Sequence, residues 1–492
     1  MAEKDEKNDK KETLEEPKEE TVVTKGSIKI GTEEVKYTAT TGTMILRQED
    51  PKKKEEGLKP KAKIFYIAYT REGVDDFSER PITFSFNGGP GSSSVWLHLG
   101  LLGPKRVIAE KDGKPVPPPY RLVPNEHSIL DVSDLVFIDP VSTGYSRVVK
   151  GENPEQFHDY NKDIESVAEF IRLYTSRNQR WSSPKFLIGE SYGTTRAGGL
   201  SGYLQDRYGM YLNGLMLVSS ILNFQTARFM PGNDLPFLLF LPTYAATAWY
   251  HKKLKEELLQ ADLKVTLSKV EEFVMKDYVL ALMKGDKLSP REKSRIIKKL
   301  SDFTGLSKDY IDRTNLRINI HRFTNELLRN ERRIVGRLDS RFVGIDRDAA
   351  GEMNTYDPSY AAIQGPYTAT FNDYVRKELN YANDENYEIL ANLWMTWKYE
   401  KFQNQFLNVA ETLRDAMSKN PFLKVFVANG YYDLATPYFA TEYTFDHMGL
   451  DPSLQGNIKM EYYEAGHMMY MHPPSLEKLS KDLRTFISWA IP

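Results

Sequence analysis

Lys185-Phe186-Leu187-Ile188-Gly189-Glu190-Ser191-Tyr192-Gly193-Thr194 begins as an apolar run and closes on a G-x-S-x-G pattern that the chain carries once. The run Lys185–Ile188 predicts a strand, and the residues from Tyr192 to about Arg207 have the composition of a helix. Strand, sharp turn and helix in that order predict a turn that lifts the Ser191 hydroxyl clear of a sheet. The free N–H groups of the following helix then face whatever the hydroxyl attacks. The two glycines allow the close turn.

Strands and helices alternate on either side of this segment. Ser27–Ile30 and Val35–Ala39 flank Gly31-Thr32-Glu33 as a hairpin. Lys61–Tyr69 and Pro81–Phe86 read as strands, and Leu135–Ile138 as a strand buried on both faces. Ile164, Val167, Phe170, Ile171 and Tyr174 recur at helical spacing behind a cap expected at Asn161. Leu212–Ser219, Phe422–Ala428 and Ile458–Tyr463 supply further strands. A closing helix puts Leu476, Leu479, Leu483, Phe486 and Ile487 on one face. The pattern is that of an α/β fold with a mostly parallel central sheet. Between residues 223 and 420 helix formers dominate, which predicts a mostly helical insertion, or cap, over the carboxyl edge of the sheet. The expected division is a charged disordered tail at 1–21, a core at 22–222 and 421–492, and the cap at 223–420.

A serine needs a base and an orienting acid to become a nucleophile, and on this topology they follow in the order acid then histidine, each past a strand end. Asp433 trails the Phe422–Ala428 strand, and His467 trails Ile458–Tyr463 in Glu464-Ala465-Gly466-His467-Met468. Asp446, Asp451 and His472 are the alternatives, and none follows a strand as closely. Ser191 then attacks, His467 accepts and returns the proton, and Asp433 holds the imidazolium. Asn87-Gly88-Gly89-Pro90-Gly91-Ser92-Ser93-Ser94 also follows a strand. No Lys-Ser/Thr stands behind it, so a phosphate loop fails. An oxyanion hole pairing the Gly89 and Tyr192 amides suits the serine chemistry.

Composition bounds the rest. Lys plus Arg total 66 and Asp plus Glu 68, a net charge of -2 that gives no basis for a nucleic-acid partner. Cysteine is absent, which excludes disulfides, thiol nucleophiles and zinc–thiolate sites. No metal cluster or dinucleotide fingerprint appears, so no metal and no cofactor is implied. Leu235–Tyr250 is apolar but contains Pro236 and Pro242 and is shorter than the roughly 20 residues of a spanning helix, so no membrane span is expected. It reads as a buried or cleft-lining segment. Residues 1–20 are nearly all Lys, Glu and Asp, the composition of a solvated tether such as follows a removed signal. A periplasmic or secreted location is favoured on that reading, with a cytoplasmic tail as the alternative.

These segments together resemble the serine carboxypeptidase family. They are Asn87–Ser94, Leu102-Gly103-Pro104, Phe137-Ile138-Asp139-Pro140 with Thr143-Gly144-Tyr145-Ser146, Gly189–Gly193 and Gly466-His467-Met468, in the family's order. The resemblance implies an α/β-hydrolase fold and release of single residues from peptides with a free C-terminus through an acyl-enzyme. It puts the catalytic triad at Ser191, Asp433 and His467 and the oxyanion donors at Gly89 and Tyr192. Binding of the substrate's terminal carboxylate falls to Asn87, Gly88 and Glu190. An acid can hydrogen-bond a carboxylate only if the two share a proton, which is why the family is expected to favour acidic pH.

The chain departs from the family in several places. Leu101 stands where a second glutamate usually precedes the Leu-Gly-Pro turn, so Glu190 is without its partner acid, and activity is expected to extend further toward neutral pH. Thr194-Thr195-Arg196-Ala197-Gly198-Gly199 replaces a histidine-bearing continuation. Arg196 there is either a helix-surface arginine or a positive charge near the substrate carboxylate. The thiol-free sequence is similar to bacterial members of the family. An esterase or acyltransferase using the same triad, or a non-catalytic binding protein on this scaffold, is the alternative function. Oligomeric state and residue preference are not readable from the chain.

Overall fold

The computed structural model describes residues 16–49, 55, 57–109 and 115–491. The part of the expected tail before residue 16 lies outside them. The hairpin is longer than its core residues suggest: β1 (Thr21–Ile30) and β2 (Glu33–Glu49) meet at Gly31 and Thr32, with Gly31 at φ +58°. Glu19 and Glu20, assigned to the disordered tail on composition, are instead tied to this hairpin. The Ile45 N–H donates to Glu19 Oε1 at 2.9 Å, Arg177 reaches Glu19 Oε2 at 2.9 Å, and the Thr43 N–H donates to the Glu20 carbonyl at 2.8 Å.

The chain continues through β3 (Leu58–Arg71), β4 (Ile82–Phe86) and β5 (Asp134–Ile138) to α1 (Tyr160–Arg177). Asp159, not Asn161, caps α1. Its side chain accepts from the Asn161 N–H at 2.9 Å, so Asn161 already belongs to the first turn. Next come β6 (Lys185–Ser191), α2 (Tyr192–Tyr208) and β7 (Gly214–Ser220). The inserted region carries α3 (Leu235–Leu239), α4 (Leu241–Tyr250), α5 (Leu263–Phe273), α6 (Pro290–Thr304), α7 (Pro358–Lys377) and α8 (Ala410–Lys419). The chain closes with β8 (Lys424–Gly430), α9 (Tyr438–Asp446), β9 (Ile458–Tyr463) and α10 (Pro473–Ala490).

Among the described residues one large sheet runs in the order β1-β2-β3-β5-β4-β6-β7-β8-β9. From β5 to β9 every neighbour pairs in parallel, while β1, β2 and β3 attach antiparallel at one edge. This is the α/β-hydrolase fold, with a mixed but mostly parallel sheet. Helices cover both faces, which is why Ile82–Phe86 and Asp134–Ile138 are buried at every position. One face packs Phe186, Ile188, Met216 and Phe426 on Leu479, Leu483 and Phe486 of α10. The other packs Leu187, Leu215 and Val425 on Ile164, Leu200 and Leu413 from α1, α2 and α8.

A third apolar cluster, from Leu238 to Val335 with Tyr431, Tyr432, Leu434 and Tyr438, forms the helical cap. The inserted region does not all belong to that cluster. Ile363, Tyr367 and Phe371 of α7 pack in the first face cluster, and Leu413 and Met417 of α8 in the second. Leu235–Tyr250 forms two buried helices meeting at Phe240, which lines the cavity described below. Among the described residues no helix is long and apolar enough to cross a membrane.

One buried ionic knot ties the sheet to its loops. Asp134, at the start of β5, accepts from Arg80 Nε at 3.1 Å, Arg180 Nη1 at 2.5 Å and the Arg71 N–H at 3.0 Å. Arg80 and Arg180 are themselves buried. Replacing Asp134 with Ala strands two buried guanidinium groups, and a loss of about 3–5 kcal/mol is expected in urea unfolding. A loss under about 1 kcal/mol is the surface-pair result and would show that the knot carries no such weight.

Candidate active site

Ser191 ends β6 and precedes α2 with φ 60° and ψ -129°, a left-handed backbone that a side chain adopts only under constraint. The constraint is the approach of three backbone segments. A Cβ on Gly189 would fall 2.2 Å from the Gly193 carbonyl oxygen, and one on Gly193 would fall 2.7 Å from that of Phe86. Only hydrogen fits at both positions, so the G-x-S-x-G spacing follows from packing.

Asp433 lies past β8 and His467 past β9. The sheet brings them together: His467 Nδ1 and Asp433 Oδ2 are 2.7 Å apart, both residues buried. Asp433 Oδ1 also accepts from the N–H groups of Ala435 and Thr436 at 2.8 and 3.0 Å, and the Thr436 hydroxyl donates to Oδ2 at 2.7 Å. The His467 backbone is fixed too, its N–H on the Leu338 carbonyl at 2.6 Å and its carbonyl accepting from the Ser219 hydroxyl at 2.6 Å. Burial works against the imidazolium. The Asp433 carboxylate, by charge and hydrogen bond, with Glu190 behind it, outweighs burial and holds His467 above its ordinary value.

Ser191 and His467 line one cavity of about 890 Å³, together with Asn87, Gly88, Gly89, Glu190 and Tyr192. All eight residues singled out in the sequence meet here except Asp433, which stands behind His467. In this resting geometry no hydrogen bond joins the Ser191 hydroxyl to the imidazole, and catalytic contacts of this kind commonly tighten only when substrate binds. The alternatives lie elsewhere. His472 Nδ1 faces the Ser475 hydroxyl at the start of α10, Asp451 caps a short turn at Ser453, and Asp446 ends α9.

The turn Asn87–Gly91 lies against the Ser191 elbow. A Cβ on Gly88 would sit 2.4 Å from the Tyr192 backbone nitrogen, and Gly89 has φ +100°. The Asn87 side chain spans the turn, donating from Nδ2 to Glu190 Oε1 at 3.0 Å and accepting the Leu97 N–H at 3.1 Å. Glu190 is buried, and its second oxygen, Oε2, has no hydrogen-bond partner. Burial pushes the Glu190 carboxyl up to about 7, against the pull of the His467 charge, the nearby Tyr470 hydroxyl and the Asn87 hydrogen bond.

Some residues of the site were not found in the sequence. Leu101 is fully buried in a short helical segment, His98–Leu102, and its carbonyl accepts from Asn125 Nδ2 at 2.8 Å, so an apolar side chain fills the position of the absent second acid. The Tyr367 and Tyr470 rings close over the neighbouring Gly100, and both phenols feel the Glu190 charge. The Tyr470 hydroxyl approaches Glu190 without reaching hydrogen-bond geometry. The lack of a second acid was the signal to look for another proton donor nearby. Arg196 is neither on the helix surface nor against the substrate. It is buried, with Nε on Asp163 at 2.8 Å and Nη1 on the Asn87 carbonyl at 2.6 Å, and so braces the turn from behind. Among the described residues no group of His, Asp and Glu is arranged to hold a metal.

The fold and these segments agree with known proteins. The pheromone-processing carboxypeptidase KEX1 of Saccharomyces cerevisiae is 31% identical over 158 residues, 31% of this chain and 20% of that protein. The retinoid-inducible serine carboxypeptidase of Rattus norvegicus is 27% identical over 144 residues, 28% of each. The chain thus matches less than a third of either relative's length. A solved structure of the yeast KEX1 prohormone-processing carboxypeptidase superposes with a TM-score of 0.54 at 17% identity, covering 91% of both chains, which establishes a shared fold. These relatives are fungal and mammalian and lend no support to the bacterial kinship expected from the thiol-free composition. The sequence model for serine carboxypeptidases matches residues 55–471, most of the chain and the whole span from β3 to the His467 loop. The chain belongs to the serine carboxypeptidase family.

Proposed function

We propose that the protein is a serine carboxypeptidase, releasing C-terminal residues from peptides through an acyl-enzyme on Ser191. The observation that carries this is Glu190 Oε2: a buried carboxyl oxygen without a partner, beside Ser191 on the cavity wall. Because Oε1 is occupied by Asn87, a retained proton sits on Oε2 and points at the one ligand that needs it, a peptide's terminal carboxylate. An esterase has no use for such a group.

The steps follow from the positions of the side chains. With the terminal carboxylate held by Glu190, Asn87 and the Gly88 backbone, the last peptide bond lies at Ser191. Its Oγ bonds the carbonyl carbon while its proton passes to His467 Nε2, and Asp433 steadies the imidazolium. The Gly89 and Tyr192 amides receive the oxyanion. Collapse breaks the C–N bond as His467 protonates the leaving amine, and water repeats the sequence on the acyl-enzyme. Residues 223–420 act in this reading as the cap that walls the cavity.

A fluorophosphonate probe is expected to label Ser191, and S191A to be blank while still folded. D433N is expected to cut kcat by about 10³–10⁴-fold, and an unlabelled native enzyme would overturn the nucleophile assignment. Mass analysis of a model peptide is expected to show stepwise loss from its C-terminus, whereas a C-terminal amide is turned over poorly. Equal turnover of acid and amide defeats the clamp.

The pH dependence has a definite sign. Capture needs Glu190 protonated, a form present below about 7 and lost above it. Proton abstraction needs neutral His467, whose share grows as pH rises through its elevated pKa. The kcat/KM profile is therefore a bell near neutrality, and a collapse above about pH 5 contradicts it. E190Q offers an N–H that does not titrate, so its alkaline limb is expected to flatten. An unchanged limb assigns it to another group.

A further inference from the structure

The cavity has two unlike ends. Glu190 and Asn87 share theirs with Trp96, Tyr360 and Ile363, and the Trp96 ring stands 6.2 Å from Tyr360 and 4.8 Å from Tyr367. A terminal carboxylate held at Glu190 therefore lays the side chain of the released residue against an apolar wall. Phe224, Arg228, Phe229, Phe240, His321 and Arg337 also line the cavity, and we infer that they form the other end, which the rest of the peptide reaches across Ser191. Two contacts fix that end relative to the catalytic groups. The Phe224 ring lies 6.3 Å from the ring of Tyr192, next to the nucleophile, and the Arg337 carbonyl accepts the N–H of Leu434, next to Asp433, at 3.1 Å.

This far end is cationic and uncompensated. Among the described residues Glu190 is the only Asp or Glu on the cavity wall. Neither Arg228 nor Arg337 has an ion-pair partner among them. The Arg228 guanidinium lies over the Phe224 ring at 5.4 Å, with the Tyr399 phenol beside it. Asp357, the acid adjoining Arg337, accepts the Arg337 backbone N–H and caps α7 through the Ser359 N–H and hydroxyl. The Arg337 charge reaches into the site. Together with burial it opposes protonation of both His321 and His467.

Two unpaired guanidinium groups converging on a cavity with aromatic walls make a place for a carboxylate on a short apolar stem. We propose that this end is the acyl-side pocket for an acidic side chain, so that the preferred substrates are peptides with Asp or Glu immediately before the released residue. The inference rests on the carboxypeptidase reading and adds to it the chemistry of the residue retained on Ser191. An anionic side chain drawn to Arg228 and Arg337 sets the register of the peptide from the end opposite the Glu190 clamp.

The test compares N-blocked dipeptides that share a C-terminal Leu and carry Glu, Gln or Lys before it. The Glu peptide is expected to exceed Gln in kcat/KM by about five- to tenfold at low ionic strength, with Lys below both. The advantage shrinks in about 1 M salt. In the charge-reversed variant R228E/R337E the order inverts and the Lys peptide gains, an improvement that misfolding cannot produce. If Gln or Lys matches Glu in the native enzyme while all three peptides are trimmed, the acidic pocket is refuted and the carboxypeptidase reading stands. If none of the three is trimmed, that reading falls and this inference with it.

Discussion

The close seating of the Asn87–Gly89 turn on the Ser191 elbow is the contact from which the rest of the site follows. Gly88 meets the Tyr192 backbone nitrogen, and Gly193 meets the Phe86 carbonyl, with no room for a side chain at either position. This seating sets Gly88 against the Tyr192 amide and lets Asn87 reach Glu190 across the turn. It is braced from beneath by Arg196, which is paired with Asp163 on α1 and donates to the Asn87 carbonyl. A buried ion pair gains little stability over apolar packing. Here its two charges act as a strut, linking α1, α2 and the turn at a fixed spacing.

Two carboxyl groups flank His467, and their surroundings differ in the way their roles require. Four donors converge on Asp433: two backbone N–H groups, the Thr436 hydroxyl and the imidazole. That is the setting of an acceptor. Glu190 has one firm donor, from Asn87, and a buried second oxygen with none. Burial therefore favours its protonated form, and it does so without a second acid to share the proton. The phenols of Tyr367 and Tyr470 close the space near Leu101 without adding negative charge. One imidazole thus lies between an acid suited to accept and another suited to donate, the separation of roles that paired carboxyl groups achieve through environment.

Much of this was legible from local pattern. The apolar run before Gly189, the strand ends before Asp433 and His467, and the glycines at 88 and 89 each announce themselves within a few residues, because strand burial and tight turns leave short-range signatures. What stayed hidden depends on partners distant in the chain. Arg196 reads as a surface residue until α1 supplies Asp163. Tyr470, only three residues past His467, has no meaning until Glu190 is placed beside it. The α1 cap was missed by two residues because Asp159 and Asn161 are equally good caps by type, and only the hydrogen bond chooses between them. The hairpin strands are longer than their apolar alternation because β2 pairs on both sides, with β1 and β3. The packing of α7 and α8 on the core could not be read from helical spacing, which says that a face is buried and not against what.

The segment from Arg337 to Arg341 shows that the cap does more than cover the cavity. The Leu338 carbonyl accepts the His467 N–H, and Asp339 Oδ2 accepts the Gly466 N–H at 3.1 Å. Arg341 pairs with Asp339 at 2.7 Å, donates to the Glu464 carbonyl and lies over the Tyr432 ring at 5.3 Å. The loop that carries the imidazole is therefore held at several points by a turn of the inserted region, with no disulfide to do that work. Arg337 stands at the head of the same turn and lines the cavity. The next residue, Leu338, accepts the His467 N–H, so the cavity wall at Arg337 and the backbone that fixes His467 belong to one continuous turn. A helical insertion with its own apolar core is thus tied by hydrogen bonds to the His467 loop, where a freely moving lid would leave the imidazole to orient itself.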